Sequence, residues 1–332
     1  MQIILVTGGG GYIGSHAVKR LLKENYSVVV FDNFSRGFRE PLEILNKYGE
    51  LNIVEGDLLK EEDIKKVFKK YKIDAVMHFA ALCLVDESTK KPELYFKNNV
   101  IGTLNLVEAM NEAGVKKIIL SSTCAVYGDA EYLPIDERHI TKPTNPYGES
   151  KLMAEKIIHW FNITYKFNYA ILRYFNVCGA DSDGEIGDSK KPSELLMQNA
   201  VRGALGIEDF KLTCPKVDTL DGTPIRDYVD VEDIIDAHMK ALYYLKDNNS
   251  LICNLGNGHG ISVKEIIRSV QKELDVNFQI HFSNTRMGEY VEVYANNSVA
   301  KDLLKWTPNK TLKDSIKSLV VWYSHYPKGY KF

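Results

Sequence analysis

Residues 7–14, Thr7-Gly8-Gly9-Gly10-Gly11-Tyr12-Ile13-Gly14, decide the fold. The apolar run Ile3-Ile4-Leu5-Val6 precedes them and reads as a buried strand, while Ala17, Val18, Leu21 and Leu22 follow at helical spacing. A glycine-rich turn between strand and helix sets backbone N–H groups and a helix N-terminus against a phosphate. Glycine is needed there because a side chain would hold the backbone away from that ligand. The run fits both Gly8-x-x-Gly11-x-x-Gly14 and Gly9-x-Gly11-x-x-Gly14, so the spacing alone leaves the dinucleotide-binding family open. A second apolar run, Val28-Val29-Val30-Phe31, ends at Asp32. A carboxylate at that distance from the turn accepts hydrogen bonds from both hydroxyls of an adenine ribose. It repels a 2′-phosphate, which favours NAD over NADP.

Around this motif the chain is ordinary. Its 332 residues suffice for one large or two medium domains. A hydrophobic share of 45% and a charged share of 26% are those of a soluble globular protein. The net charge of −2 gives no reason to expect nucleic acid or an anionic membrane as partner. The lysines between Lys65 and Lys72 alternate with Ile64, Val67 and Phe68, the solvated face of an amphipathic helix. The five cysteines (Cys83, Cys124, Cys178, Cys214, Cys253) are odd in number and scattered, with no C-x-x-C. That argues for reduced thiols in a cytoplasmic protein, without disulfide framework or metal site. The first strand starts at once, leaving no room for a signal peptide. No apolar run approaches the ~20 residues that span a membrane.

Strand-like runs recur at 3–7, 27–32, 52–54, 75–80, 117–122 and 170–175. Helical patterns at 61–71, 93–113 and 147–165 lie between most of them. The alternation predicts an α/β fold: a doubly wound, Rossmann-type parallel sheet over residues 1–179. After Gly179 a polar, glycine-bearing stretch opens a smaller C-terminal α/β lobe, residues 180–332, expected to bind substrate and to send some segments back to the main sheet. Helices are expected there at 193–204 and 231–246, and another starting at the capping box Ser262-Val263-Lys264-Glu265. Ligands of such sheets lie at the carboxyl ends of the strands. Asp32, Asp57, Phe79-Ala80 and Ser121-Ser122-Thr123 fall at such ends.

A second constellation is Thr123 with Tyr147-Gly148-Glu149-Ser150-Lys151. Tyr147 and Lys151 share a helix face at i, i+4. An ammonium beside a phenol stabilises the phenolate, which makes tyrosine a usable base near neutral pH. The Thr123 hydroxyl is placed to share the substrate's hydrogen bond. Tyr-x-x-x-Lys spacing is weak by itself among 19 tyrosines. Its position decides, after a proline-bearing loop and the strand ending in Ser121-Ser122-Thr123.

Together with HFAAL (78–82), NNVIGT (98–103), RYFNVCGA (173–180), DGTPIRDYV (221–229) and Asn254-Leu255-Gly256, these motifs resemble the extended short-chain dehydrogenase/reductases. Within them they resemble the UDP-glucose (UDP-galactose) 4-epimerase family. The resemblance implies captive NAD, held by Gly8, Gly11, Tyr12, Ile13, Gly14, Asp32 and Asn33, by Asp57 and Leu58, by Phe79, Ala80, Asn98 and Phe175, and by Tyr147 and Lys151. It implies Tyr147, Lys151 and Thr123 as the catalytic group. It assigns the nucleotide sugar to Thr123, Asn176, Arg226, Arg286 and Glu289, with Val293 bordering the sugar. By that resemblance the 4-hydroxyl is oxidised, the 4-keto sugar turns over, and reduction on the other face gives the C4 epimer. It also implies a homodimer through helices such as 93–113 and 147–165.

The chain departs from the family pattern at several points. Cys83 stands for a lysine near the cofactor phosphates. Glu194-Leu195-Leu196-Met197, Leu212-Thr213-Cys214 and Arg286-Met287-Gly288-Glu289 depart in segments that touch the nucleotide. Cys124 and Ala125 replace the Asp-Glu pair of sugar-nucleotide 4,6-dehydratases, which removes the acid and base for elimination. An epimerase of another nucleotide sugar, a net nucleotide-sugar dehydrogenase and a dinucleotide-sensing regulator are the competing readings.

Overall fold

A computed structural model describes residues 2–190, 193–247, 250–282 and 290–330. Six strands arise before residue 175: β1 (Ile3–Thr7), β2 (Ser27–Asp32), β3 (Leu51–Glu55), β4 (Ala75–His78), β5 (Lys117–Thr123) and β6 (Asn168–Tyr174). A seventh, Leu251–Leu255, joins them from the far side of the C-terminal lobe and pairs with β6. All pairings are parallel, in the order Leu251–Leu255, β6, β5, β4, β1, β2, β3.

The apolar runs are buried because the sheet is covered twice. Ile4, Val6, Val28 and Val30 face a core shared with the helices Tyr12–Lys23 and Val231–Tyr244. The alternate residues Leu5, Val29 and Phe31 face a second core shared with Glu61–Lys70, Gly102–Glu112 and Pro146–Tyr165. Period-two alternation with both faces apolar is the signature of a strand buried on two sides. The chain runs outward from β1 to β3, then returns to add β4 on the other flank of β1. This reversal opens a crevice between the carboxyl ends of β1 and β4, where such sheets bind ligands.

After β6 the remaining pairings are short. Asn176–Cys178 pairs with Tyr228–Asp230, and Ile225–Arg226 with both Ile261–Ser262 and Glu292–Val293. Phe210–Leu212 pairs with Ile280–Phe282. Ser262 and Glu265 form the expected capping box of the helix Val263–Leu274.

One element differs from expectation. The helix over 93–113 is interrupted: Pro92–Tyr95 passes through a π-helical turn, Phe96–Ile101, before Gly102–Glu112. The wider turn accompanies a buried contact. The Asn99 amide accepts from Leu82 N (2.8 Å) and donates to Leu82 O (3.0 Å) and Ser150 Oγ (2.9 Å). Such bulges recur where a helix presents a side chain to a site.

Candidate active site

The glycine turn lies in the crevice. Gly8 takes φ +73°, and a Cβ on it would stand 2.6 Å from Ala80 N. A Cβ on Gly14 would stand 2.2 Å from Gly8 O. Both contacts bring the helix N-terminus hard against the end of β1. The first-turn N–H groups of Tyr12 and Ile13 have no intrahelical acceptor, and a Cβ on Gly11 would meet only Gly8 O at 3.3 Å. This open cradle of N–H groups fits a pyrophosphate. The Tyr12 hydroxyl is spent elsewhere, donating to the carbonyls of Gly179 (2.5 Å) and Cys178 (3.0 Å). Any phosphate contact of Tyr12 therefore comes through its backbone.

Asp32 ends β2 beside the turn. Its oxygens accept from Gly10 N (2.9 Å) and Phe34 N (2.8 Å), so the carboxylate is fixed in direction and retains lone pairs for ribose hydroxyls. Burial pushes its pKa up, opposed by those two backbone donors. Asn33 Nδ2 donates to Asp57 Oδ2 at 3.3 Å, and Leu58 is buried beside them. On the other flank the Phe79 ring stacks on His238 (4.8 Å between centroids), so it packs the core while its backbone borders the turn. Asn98 donates to Asn99 Oδ1 at 3.0 Å, and Phe175 is buried.

The second constellation assembles at the end of β5. Asn145 caps the helix Pro146–Tyr165, accepting from Gly148 N at 2.9 Å. A Cβ on Gly148 would lie 2.5 Å from Ala125 O, so glycine allows this helix to start against the turn after Thr123. The Tyr147 hydroxyl is consequently brought up to Thr123. Burial raises the Tyr147 phenol, and the Thr123 contact opposes it. Lys151 is 3% exposed; burial lowers its pKa to about 8, with Glu155 pulling the other way. Beneath it lies a buried network that sequence reasoning missed. Glu155 accepts from Arg173 Nε (3.0 Å) and Nη2 (2.6 Å) and from Ser122 Oγ. Arg173 Nη1 continues to the Tyr127 hydroxyl (2.9 Å), which donates to Asn254 Oδ1 (2.7 Å). Glu155 and Arg173 lie on separate elements, so no local spacing announces the pair.

Across the crevice, Asn176 and Arg226 line a cavity of about 550 Å³. The departing segments 194–197 and 212–214 line the same cavity, with Phe210 and Tyr228 as its aromatics. Arg286 and Glu289 lie outside the described residues. Val293 is 4% exposed and packs with Leu152, Phe175 and Tyr127. The Tyr290 hydroxyl, three residues before it, is bonded to Thr144 Oγ1 at 2.7 Å and within electrostatic reach of Cys124 and Arg226. A tyrosine without flanking motif gave no sequence signal for this.

Among the described residues, the acidic groups close enough to share an ion are Asp181, Asp183 and Glu185. The Lys19 ammonium already occupies their centre, 2.7 to 3.0 Å from all three. None of Cys83, Cys124, Cys178 and Cys253 is held in a disulfide.

The model of the NAD-dependent epimerase/dehydratase family matches residues 4–256. The chain belongs to that family. A UDP-glucose 4-epimerase of Lactobacillus helveticus is 42% identical over 331 residues, covering 99% of each chain. UDP-arabinose 4-epimerase 1 of Arabidopsis thaliana is 42% identical over 338 residues, 98% of this chain and 80% of that one. The crystal structure of UDP-glucose 4-epimerase from Bifidobacterium longum in complex with NAD+ and UDP superposes with a TM-score of 0.95. It is 34% identical over 99% of this chain and 100% of that one. The fold expected from the strand–helix alternation is thus that of nucleotide-sugar epimerases.

Proposed function

We propose that the chain interconverts the C4 epimers of a nucleotide sugar, with UDP-glucose and UDP-galactose as the pair and NAD as its captive redox partner. One observation carries the reading: Tyr147 stands beside Thr123 and one helical turn from a buried Lys151. NAD, when bound, supplies an acceptor for the C4 hydride and a donor to return it. The chain's own residues handle the rest. Tyr147 Oη takes the proton of the 4-hydroxyl and gives it back after the 4-keto sugar has turned over. A phenol raised by burial needs a positive charge nearby to act as base. Lys151 carries that charge below about pH 8. Thr123 Oγ1 orients the hydroxyl. Asn176 and Arg226 suit the diphosphate, Arg226 with its guanidinium fork. Holding the nucleotide rather than the sugar leaves the ring free to rotate.

Residues 180–332 supply this substrate side. Val293 in place of a tyrosine ring supports acceptance of the N-acetylhexosamine pair as well. Reduced thiols fit the cytoplasm; among the described residues no helix is long and apolar enough to cross a membrane. The helices Pro146–Tyr165 and Gly102–Glu112 form the surface on which we place a homodimer.

The test is a panel of UDP-linked and other nucleotide-linked hexoses, N-acetylhexosamines and pentoses, followed by NMR for C4 epimers. Tyr147→Phe should lower kcat about 10²–10⁴-fold while fold and bound NAD persist. Steady absorbance at 340 nm with substrate would instead identify a net dehydrogenase. NAD binding without turnover of any sugar would favour the sensing reading.

A further inference from the structure

We propose that Lys190 clamps the pyrophosphate of the cofactor from the C-terminal lobe, on the side opposite the glycine turn. The inference rests on the NAD reading above and names a residue which that reading does not use.

A dinucleotide held at the turn and serving Tyr147 must cross the segment Ala80–Leu84, which is pinned along its length. The Ala80 backbone packs against Gly8. Leu82 is held at N and O by Asn99, which also bonds Ser150, the neighbour of Lys151. Leu84 is held by the Tyr95 hydroxyl, which donates to Leu84 O (2.7 Å) and accepts from Leu84 N (3.0 Å). The Tyr95 ring packs edge-on against Tyr147 with centroids 6.4 Å apart. Cys83, in the middle of this segment, is exposed. It therefore stands between the phosphate cradle and the catalytic pair.

Lys190 Nζ lies 3.6 Å from Cys83 Sγ. The lysine belongs to the loop that follows Gly179, so its side chain spans the crevice from one lobe to the other. A thiol sulfur is a weak acceptor and leaves an ammonium with donors to spare. The acidic neighbours of Lys190 are Asp188 and Glu194. Asp188 is buried and oriented toward the Lys190 backbone N–H at 3.5 Å. A helix N-terminus offers only about half a positive charge, and a pyrophosphate carries more negative charge than that can balance. A lysine arriving over the same track is a point charge suited to phosphate oxygen. With both lobes on the cofactor, release requires this arm to swing away, which is a physical basis for captivity.

The experiment compares wild type, Lys190→Ala and the double variant Cys83→Lys/Lys190→Ala, which offers an ammonium from the other side of the same contact. NAD released by acid is quantified for each, and the Kd of the NAD-stripped proteins is measured by calorimetry at 50 and 200 mM salt. Lys190→Ala should raise the Kd about ten- to a hundredfold, the range for losing a charge-assisted bond, and weaken its salt dependence. The double variant should recover most of the affinity. An unchanged Kd in Lys190→Ala overturns the proposal. So does a higher KM for the sugar nucleotide with NAD affinity intact, which would give the lysine to the substrate diphosphate. Loss of affinity without rescue by Cys83→Lys would show that the loop, and not the charge, matters. A wild-type protein that binds no NAD would sink the cofactor reading itself.

Discussion

Lys151 shows the conflict between stability and chemistry at a single residue. Its ammonium is charged and buried, so the folded protein holds that proton less tightly than the unfolded chain does, with a pKa of about 8 against the ordinary 10.5. Below pH 8 the group is charged in both states and its burial destabilises the fold by on the order of 3 kcal/mol. As pH rises from 8 to 10.5 the folded lysine is neutral first, and the penalty fades. Lys151→Met should therefore abolish most turnover yet raise the thermal midpoint of the cofactor-free protein at pH 7, with an advantage that shrinks by pH 9.5. Scanning calorimetry at both pH values checks this. A variant less stable than wild type at pH 7 would mean that Glu155 more than compensates the buried charge. Tyr147, Thr123 and Lys151 were legible because two share one helix face and the third ends a strand. The Glu155–Arg173 pair beneath them was not, since it joins side chains that only the tertiary fold brings together.

At the scale of the element, the helix Tyr12–Lys23 is positioned by close backbone approach at Gly14 as well as by its apolar face. Gly14→Ala would drive a methyl into Gly8 O, a backbone atom with nowhere to move. We expect an NAD Kd raised more than about tenfold and a lower thermal midpoint. Gly49→Ala, whose Cβ would meet the end of the Leu22 side chain at 3.4 Å, should leave binding unchanged. Titration calorimetry on both variants separates a phosphate cradle from an ordinary turn. The same turn made the fold readable, because its glycines, flanking periodicity and Asp32 agree over the thirty contiguous residues from Ile3 to Asp32. The strand Leu251–Leu255 was missed for the opposite reason. It carries Asn254 at a fully buried position, its side chain bonded to Tyr127 and Ile135 and its backbone N–H to Glu137, all from distant parts of the chain. The π-helical turn at Phe96–Ile101 was likewise invisible, since Asn99 finds its partners across the molecule.

At the scale of the whole molecule, two packed helical stretches expose apolar side chains. Met153, Trp160 and Ile163 are exposed on the helix Pro146–Tyr165, Trp160 at 63%, and Leu94 and Ile101 are exposed on the neighbouring helical stretch. Exposed apolar side chains on two packed helices suit a twofold contact with a second copy. The protein should sediment as a dimer at micromolar concentration and Trp160→Glu as a monomer; a monomeric wild type would refute the pairing. The sheet has another edge with a different consequence. β6 ends at Tyr174, but its outer neighbour is Leu251–Leu255. While the chain is being synthesised, the outer edge of β6 waits for the whole stretch between them to leave the ribosome. At ~5–20 residues per second that interval is about 4–16 s. Throughout it a nearly finished sheet carries an open row of N–H and C=O groups, ready to pair with the same edge of a neighbouring nascent chain on one polysome. A factor that shields strand edges during translation has its most useful moment there, and a stop codon between 175 and 250 would leave the edge open for good.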